Sequence, residues 1–362
     1  MNILEVFYDS NYQVKTNPRK EEITSRYTQI IAPHNCGKTY FILDFINTHF
    51  KPKEYLYIDC TDMRTTTLLT KEIINFIQTN SIEIIIFDNY NIDFNIDFER
   101  LRQIVENIVI SSTKAIELIE FKNIYLSPLD FEQFLLFGNY ENSKIAFNNF
   151  LKHGNFPISS HLEEAKQINY LQNLIKINAE NDTKLYIKTI LYEYISQKRS
   201  LLELFQKTKE KTKVSKDTFY SYVKYLEDIN EIYLVPNYFK PQAVKKIFAY
   251  NPALFGAVSI AKKFNNILTN YIFLELKYRF DDIYYLDDID FFIPKDSLIV
   301  ICMPFITPEI LSKKSSSLIS VIQEKRISIK NIQIVTNSTE DTIFIDDIEC
   351  EIIPFHTWAL SF

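Results

Sequence analysis

Glycine is nearly absent from this chain, with four in 362 residues. So poor a supply leaves few places where the backbone turns left-handed without strain, and each retained glycine marks a position worth reading. Cysteine is equally scarce: Cys36, Cys60, Cys302 and Cys350 lie far apart, with no C-x-x-C pair. That spacing excludes a disulfide framework and a cysteine zinc site, and it suits a reducing compartment. No apolar run approaches the ~18 residues of a membrane-spanning helix. The opening segment, Met1 to Asp9, lacks the basic region and long apolar stretch of a signal peptide, so a cytoplasmic location is expected. A formal charge of −6 excludes a general nucleic-acid coat protein but leaves room for a local basic surface. What is present, 46% hydrophobic and 24% charged residues, is ordinary globular composition at a length that calls for two or three domains.

One of the four glycines, Gly37, stands in the run Ala32, Pro33, His34, Asn35, Cys36, Gly37, Lys38, Thr39. An apolar run from Tyr27 to Ile31 leads in, and Phe41, Ile42, Phe45, Ile46 and Phe50 follow at helical spacing. Strand, loop and helix are the setting of a phosphate-binding loop, where backbone N–H groups and the helix N-terminus hold an anion. In that reading Lys38 reaches the β- and γ-phosphates of ATP and the Thr39 hydroxyl holds Mg²⁺. The pattern G-x-x-x-x-G-K-S/T expects glycine where Ala32 stands. Alanine shares many of glycine's backbone angles but not those at positive φ.

From Tyr27 to about Phe137 short apolar runs alternate with helical ones. The strand-like runs are Tyr27–Ile31, Glu54–Ile58, Ile82–Phe87, Asn107–Ile110 and Asn123–Leu126, with helices expected over Thr65–Thr79 and Ile96–Val105. Alternation of this kind predicts an α/β fold, a parallel sheet with helices on both faces. Ligands on such sheets bind at the carboxyl ends of the strands. Glu141 to about Phe205 reads as mostly helical. A lysine-rich stretch, Gln206 to Lys216, then precedes a helix for which Ser215 is the N-cap and Phe219, Tyr222, Val223, Leu226 and Ile229 are the apolar stripe. Two strand-like runs follow, Glu231–Val235 and Lys246–Tyr250, and helix, turn, helix, hairpin is the outline of a winged helix. Further strands are expected over Ile283–Leu286, Asp290–Ile293, Leu298–Met303, Ile332–Thr336 and Thr342–Ile345, with helices over Ile267–Tyr278 and Ser315–Glu324.

Ile84 to Asp88 is an apolar strand ending in a carboxylate, as required of the aspartate that helps to hold Mg²⁺ in loop-type ATPases. Asn89 follows, where many such enzymes carry a glutamate. An amide positions water but accepts no proton, and general-base catalysis is typically worth ~10²–10⁴-fold, so slow hydrolysis is expected unless Asp59 or Asp62 substitutes. The run Asn107 to Thr113 ends in hydroxyls; Ser111 and Ser112 either bond a γ-phosphate or make a routine turn.

The order of these segments, with Ile124 to Leu135 (IYLSPLDFEQFL) and the His153–Pro157 turn, resembles a large group of bacterial and archaeal AAA-type ATPases. Val214–Leu226, Lys246–Leu254, Tyr271–Lys277, Tyr284, Tyr285 and Ile289–Phe291 extend the resemblance over nearly the whole chain. It implies an ATPase domain over 1–160, a helical and winged-helix domain over 161–250, and a C-terminal domain over 251–362 similar to a degenerate restriction endonuclease. The nuclease-like pattern needs an early acidic residue, an aspartate and a later lysine. Thr269 stands at the first position, Asp290 at the second, and Leu298–Met303 carries no lysine, so this domain is expected to be inactive, with Glu275 and Asp290 in structural or contact roles.

The residues therefore support an ATP-binding regulatory ATPase that couples nucleotide state to DNA or a protein partner, with Lys211, Lys213 and Lys216 offering phosphate contacts. A nucleotide-sensing scaffold without turnover, assembling with other proteins or with itself, is the second reading. An ATP-regulated nuclease is the third.

Overall fold

The computed structural model describes residues 3–361 apart from 11, 15, 162, 178 and 262. They divide into two compact units, Met1–Pro128 and Leu129–Phe362. In the first, the elements run α1 (Ile3–Asp9), β1 (Tyr27–Ile31), α2 (Lys38–His49), β2 (Tyr55–Asp59), α3 (Thr70–Asn80), β3 (Ile84–Asp88), α4 (Phe98–Arg102), β4 (Asn107–Ser112) and β5 (Lys122–Tyr125). The strands form one parallel sheet in the order β2-β3-β4-β1-β5, consistent with a P-loop NTPase fold. All five residues of β3 are buried, which is why it reads as an unbroken apolar run rather than an alternating one. Leu4 and Phe7 of α1, Leu56 and Ile58 of β2, Ile73 and Ile77 of α3, and Ile85 and Phe87 of β3 share one core.

The second unit begins with helices α5 (Phe131–Gly138), α6 (Ser143–His153), α7 (Glu164–Ile177), α8 (Asp182–Glu193), α9 (Leu201–Lys211) and α10 (Lys216–Asp228). An antiparallel hairpin follows, β6 (Ile232–Val235) with β7 (Lys246–Ala249). Then come α11 (Leu254–Val258), α12 (Phe264–Arg279), β8 (Tyr284–Leu286), β9 (Ile289–Ile293), β10 (Leu298–Cys302), α13 (Pro308–Lys325), β11 (Asn331–Thr336), β12 (Asp341–Ile345), β13 (Ile348–Pro354) and α14 (Phe355–Trp358). The last six strands form a mixed sheet in the order β12-β13-β11-β10-β9-β8. Both of its faces are covered, as the period of two along β10 records. Leu298, Val300 and Cys302 join a core with Phe131, Phe150, Tyr271 and Phe355, while Ile299 and Ile301 join another with Leu318, Ile332 and Ile334.

The two units meet the chain at Pro128, so the boundary expected at residue 160 and the one expected at 250 both fall inside the second unit. The aromatic faces of α5 and α6 account for this: Phe131, Phe134, Phe147 and Phe150 bury themselves in the core that holds Tyr271 and Trp358. The lysine-rich stretch is half helical, because α9 continues through Lys211 and only residues 212–215 form the connection. Ser215 caps α10, accepting from the Thr218 N–H at 3.0 Å, and its five stripe residues are all buried. The strand β13 is not among the expected strands, although Ile348, Cys350 and Ile352 alternate with Glu349 and Glu351; it is an interior strand of the mixed sheet.

Candidate functional site

The loop after β1 turns through two left-handed residues, Asn35 (φ 66°) and Gly37 (φ 90°). Asparagine tolerates that region and glycine enters it freely, so the residue kept before Lys38 stands where the backbone needs it. Ala32 has no positive φ; it is buried and its N–H donates to the Ser112 carbonyl at 3.1 Å. The first pattern position asks nothing here that alanine lacks. Gly37 caps α2, so the N–H groups of that helix's first turn face the loop, the arrangement that favours an anion. Lys38 is buried, and its Nζ donates to the carbonyls of Ala32 at 3.0 Å and Pro33 at 3.2 Å. His34 and Cys36 complete the turn, and the Cys36 carbonyl accepts from Arg19 Nη1 at 3.4 Å while Arg19 Nη2 donates to the Ser127 carbonyl at 2.6 Å.

Asp88 lies fully buried at the end of β3, and the order β3-β4-β1 brings it beside the loop, where Thr39 reaches it. Four donors converge on its carboxylate. Oδ2 accepts from Thr39 Oγ1 at 2.5 Å and from the Tyr57 hydroxyl at 2.6 Å. Oδ1 accepts from Ser111 Oγ and from the Asn89 N–H at 3.0 Å. A buried carboxylate needs this degree of satisfaction, and these hydrogen bonds provide it. Burial and the neighbouring Asp88 push the Tyr57 phenol far above its usual range, so it stays a donor. Tyr57 itself was not singled out from sequence; its position two residues before the end of a β-strand was the available signal.

Asn89 also adopts a left-handed backbone (φ 54°), and its N–H bonds Ser111 Oγ at 2.8 Å as well. Ser111 is thus engaged with Asp88 and Asn89, while Ser112 Oγ donates to the Lys114 carbonyl at 2.8 Å and accepts from Gln29 Nε2 at 3.4 Å. Of the two alternative bases, Asp59 accepts from the N–H and hydroxyl of Thr61 and lies opposite Asp88 in the sheet. Asp62 caps the next turn and pairs with Arg64 at 2.6 Å; hydrogen bonds from Arg64 pull its carboxyl down to about 2. A group held so acidic is a poor proton acceptor. The geometry thus gathers Lys38, Thr39, Asp88, Asn89 and Ser111 at the carboxyl end of the sheet. A loop of backbone donors, an ammonium, a hydroxyl and a carboxylate are the donor set a Mg²⁺-nucleotide requires, and these residues fit it.

In the second unit, Glu275 is buried and accepts from the Phe131 N–H at 2.8 Å and from Arg279 Nη1 at 3.0 Å. It ties α12 to the start of α5. Burial, with Asp130 beside it, raises its carboxyl to about 7. Asp290 accepts from Lys246 Nζ at 2.8 Å and from the Cys302 N–H at 3.1 Å. Burial pushes Asp290 up, but the Lys246 ammonium and these hydrogen bonds outweigh it and hold it below the usual carboxylate range. The lysine missing from Leu298–Met303 is met by one from the hairpin, 44 residues before its partner. Thr269 is buried, its hydroxyl donating to the Asn265 carbonyl. Among the described residues no group of three or more His, Cys, Asp or Glu side chains is placed to hold a metal ion. Lys211, Lys213 and Lys216 are exposed at the α9–α10 connection.

No protein-family model matches the chain. The uncharacterised protein MJ1544 of Methanocaldococcus jannaschii is 25% identical to it over 419 aligned positions, which cover 97% of this chain and 90% of that protein. A solved structure, the Walker-type ATPase PABY2304 of Pyrococcus abyssi, superposes with a TM-score of 0.42 at 12% identity, covering 68% of this chain and 99% of the other. Strand order and loop geometry carry the fold assignment. Among the described residues no helix is long and apolar enough to cross a membrane.

Proposed function

We propose that the first unit is an ATP-binding, Mg²⁺-dependent P-loop ATPase of the AAA type. The observation that carries this reading is the contact of Thr39, next to Lys38 in the loop, with Asp88 at the end of a parallel sheet. Lys38 would take the β- and γ-phosphates, with the N–H groups of residues 35–39 around them, and Thr39 and Asp88 would hold the Mg²⁺. Bound Mg²⁺ supplies charge neutralisation of the phosphates. Asn89 would position water without accepting its proton, so turnover is slow. The test is ATP·Mg²⁺ binding with phosphate release on the full chain. Wild type should gain melting temperature at millimolar ATP, and Lys38→Ala should lose that gain. No gain in wild type would sink the assignment.

In the same reading nucleotide state is coupled to DNA or to a protein partner through a winged helix formed by α9, α10 and the β6–β7 hairpin. Exposed Lys211, Lys213 and Lys216, running from the end of α9 to the start of α10, support the DNA branch. A scaffold that binds nucleotide without turnover, alone or as an oligomer, is favoured instead by the amide at position 89. The C-terminal unit would resemble an endonuclease fold without its activity: Thr269 supplies no carboxylate and Lys246 already neutralises Asp290. Phosphate release measured with and without DNA separates the branches.

A further inference from the structure

Three cations surround one ring in the second unit. Arg199 Cζ lies 5.2 Å from the centroid of Tyr194, Lys207 Nζ 5.4 Å and Lys263 Nζ 6.0 Å. They come from three separate segments: Arg199 from the link between α8 and α9, Lys207 from the middle of α9, and Lys263 from the residue before α12. The arrangement is braced by backbone. Ser196 Oγ donates to the Asn266 carbonyl at 2.7 Å and Asn266 Nδ2 to the Ile195 carbonyl at 3.0 Å, which fixes the first turn of α12 beside Tyr194. Glu203 offsets part of the charge, pairing with Arg199 at 3.0 Å, and Glu210 lies near Lys207. The Tyr194 side chain also hydrogen-bonds Lys207, and three cations against these two carboxylates leave a small positive excess that attracts an anion.

We propose that Tyr194, Arg199, Lys207 and Lys263 form a binding site for the phosphodiester backbone of a single nucleic-acid strand. The choice of a polymer follows from continuity: Lys211 stands one helical turn beyond Lys207, about 6 Å along α9, and extends the basic line. Tyr194 is half-buried and stands at the centre of the three cations. An aromatic ring inside a basic track is the combination that holds single strands. This inference rests on the DNA-coupled reading above for its ligand class, but it places the contacts before the α10 start, adding Arg199 and Lys263 to the lysine-rich stretch that holds Lys207.

The test is fluorescence anisotropy of a labelled single-stranded oligonucleotide of mixed sequence on the full chain, over a salt series. Arg199→Gln/Lys207→Gln/Lys263→Gln should lower affinity at least tenfold and reduce the salt slope by about 0.7 per lost contact, roughly 2 in all. Lys207→Gln alone should give about a third of that slope change, which guards against misfolding of the triple variant. The ATP-induced rise in melting temperature should stay at the wild-type value in both. A triple variant with wild-type affinity and slope, beside a Lys211→Gln/Lys213→Gln/Lys216→Gln protein that loses binding, overturns this site and leaves the DNA-coupled reading standing. A wild type that binds neither single strand nor duplex overturns both. Binding of inorganic pyrophosphate at the cluster without any oligonucleotide binding overturns the polymer assignment.

Discussion

Thr39 Oγ1 donates to Asp88 Oδ2 at 2.5 Å, joining residues 49 apart in the chain. One side chain opens α2 and the other closes β3, so the contact exists only if the loop and the sheet are assembled in the order found. A hydroxyl and a carboxylate at hydrogen-bond distance are also two oxygen ligands spaced for one small hard cation.

Thr39→Val removes the hydroxyl while keeping the shape. Hydrogen bonds to charged groups contribute about 1.5–3 kcal/mol, so Mg²⁺-dependent nucleotide affinity should fall on the order of tenfold to a hundredfold. Nucleotide binding measured in excess chelator should change little. Titration calorimetry with and without Mg²⁺ reads both quantities. An equal loss in the two conditions would show that Thr39 shapes the loop and does not serve the cation.

Asn89→Glu tests the slow-turnover argument, and the backbone adds a complication that the sequence does not show. Residue 89 is left-handed, a region asparagine tolerates and glutamate enters at a cost of about 1 kcal/mol. The variant should melt lower than wild type and still release phosphate faster, by up to ~10²-fold, the low end of general-base effects. Steady-state phosphate release with a parallel melting curve decides this. Unchanged release with intact ATP binding would mean that residue 89 does not face the reacting water.

The loop and Asp88 are legible in sequence because their signals are local. A glycine in a chain that has four, and an apolar strand ending in a carboxylate, each lie within a few residues. What surrounds them is not local. Tyr57 reaches Asp88 through the pairing of β2 with β3, and Lys246 reaches Asp290 from a hairpin outside the mixed sheet. Such contacts depend on register and packing, which period and propensity do not encode. The apolar faces of α5 and α6 were visible in the same way as any helix stripe. They bury in the core that holds Tyr271 and Trp358, within the unit that begins at Leu129.

Glu275 should make stability depend on pH. Its carboxyl titrates at about 7 when folded against an ordinary 4.5, so the folded state binds more protons than the unfolded one between those values. Stability from this group is therefore fully present below about pH 4.5, falls as pH rises to about 7, and is constant above that. Such a shift corresponds to at most roughly 3 kcal/mol. Glu275→Gln keeps an acceptor for the Phe131 N–H and removes the titration. Urea unfolding at pH 5 and pH 8 should show a smaller difference for the variant than for wild type. An identical pH difference in the two proteins would mean that Glu275 is already ionised at pH 5.

Lys188 and Glu231 pair at 2.6 Å with side chains 2% and 0% exposed, linking α8 to the residue before β6, and the Tyr192 hydroxyl adds a bond to Glu231 at 3.3 Å. Burial leaves neither charge an alternative partner in water, so removing one strands the other. Lys188→Met should destabilise by about 3–5 kcal/mol, with Glu231 left buried and uncompensated. Adding Glu231→Gln should recover much of the loss, because a neutral amide costs far less to bury than a carboxylate. Urea denaturation of wild type, both single variants and the double variant closes the cycle. Additive losses would show that the two side chains are stabilised independently and that the pair does not hold α8 to the hairpin.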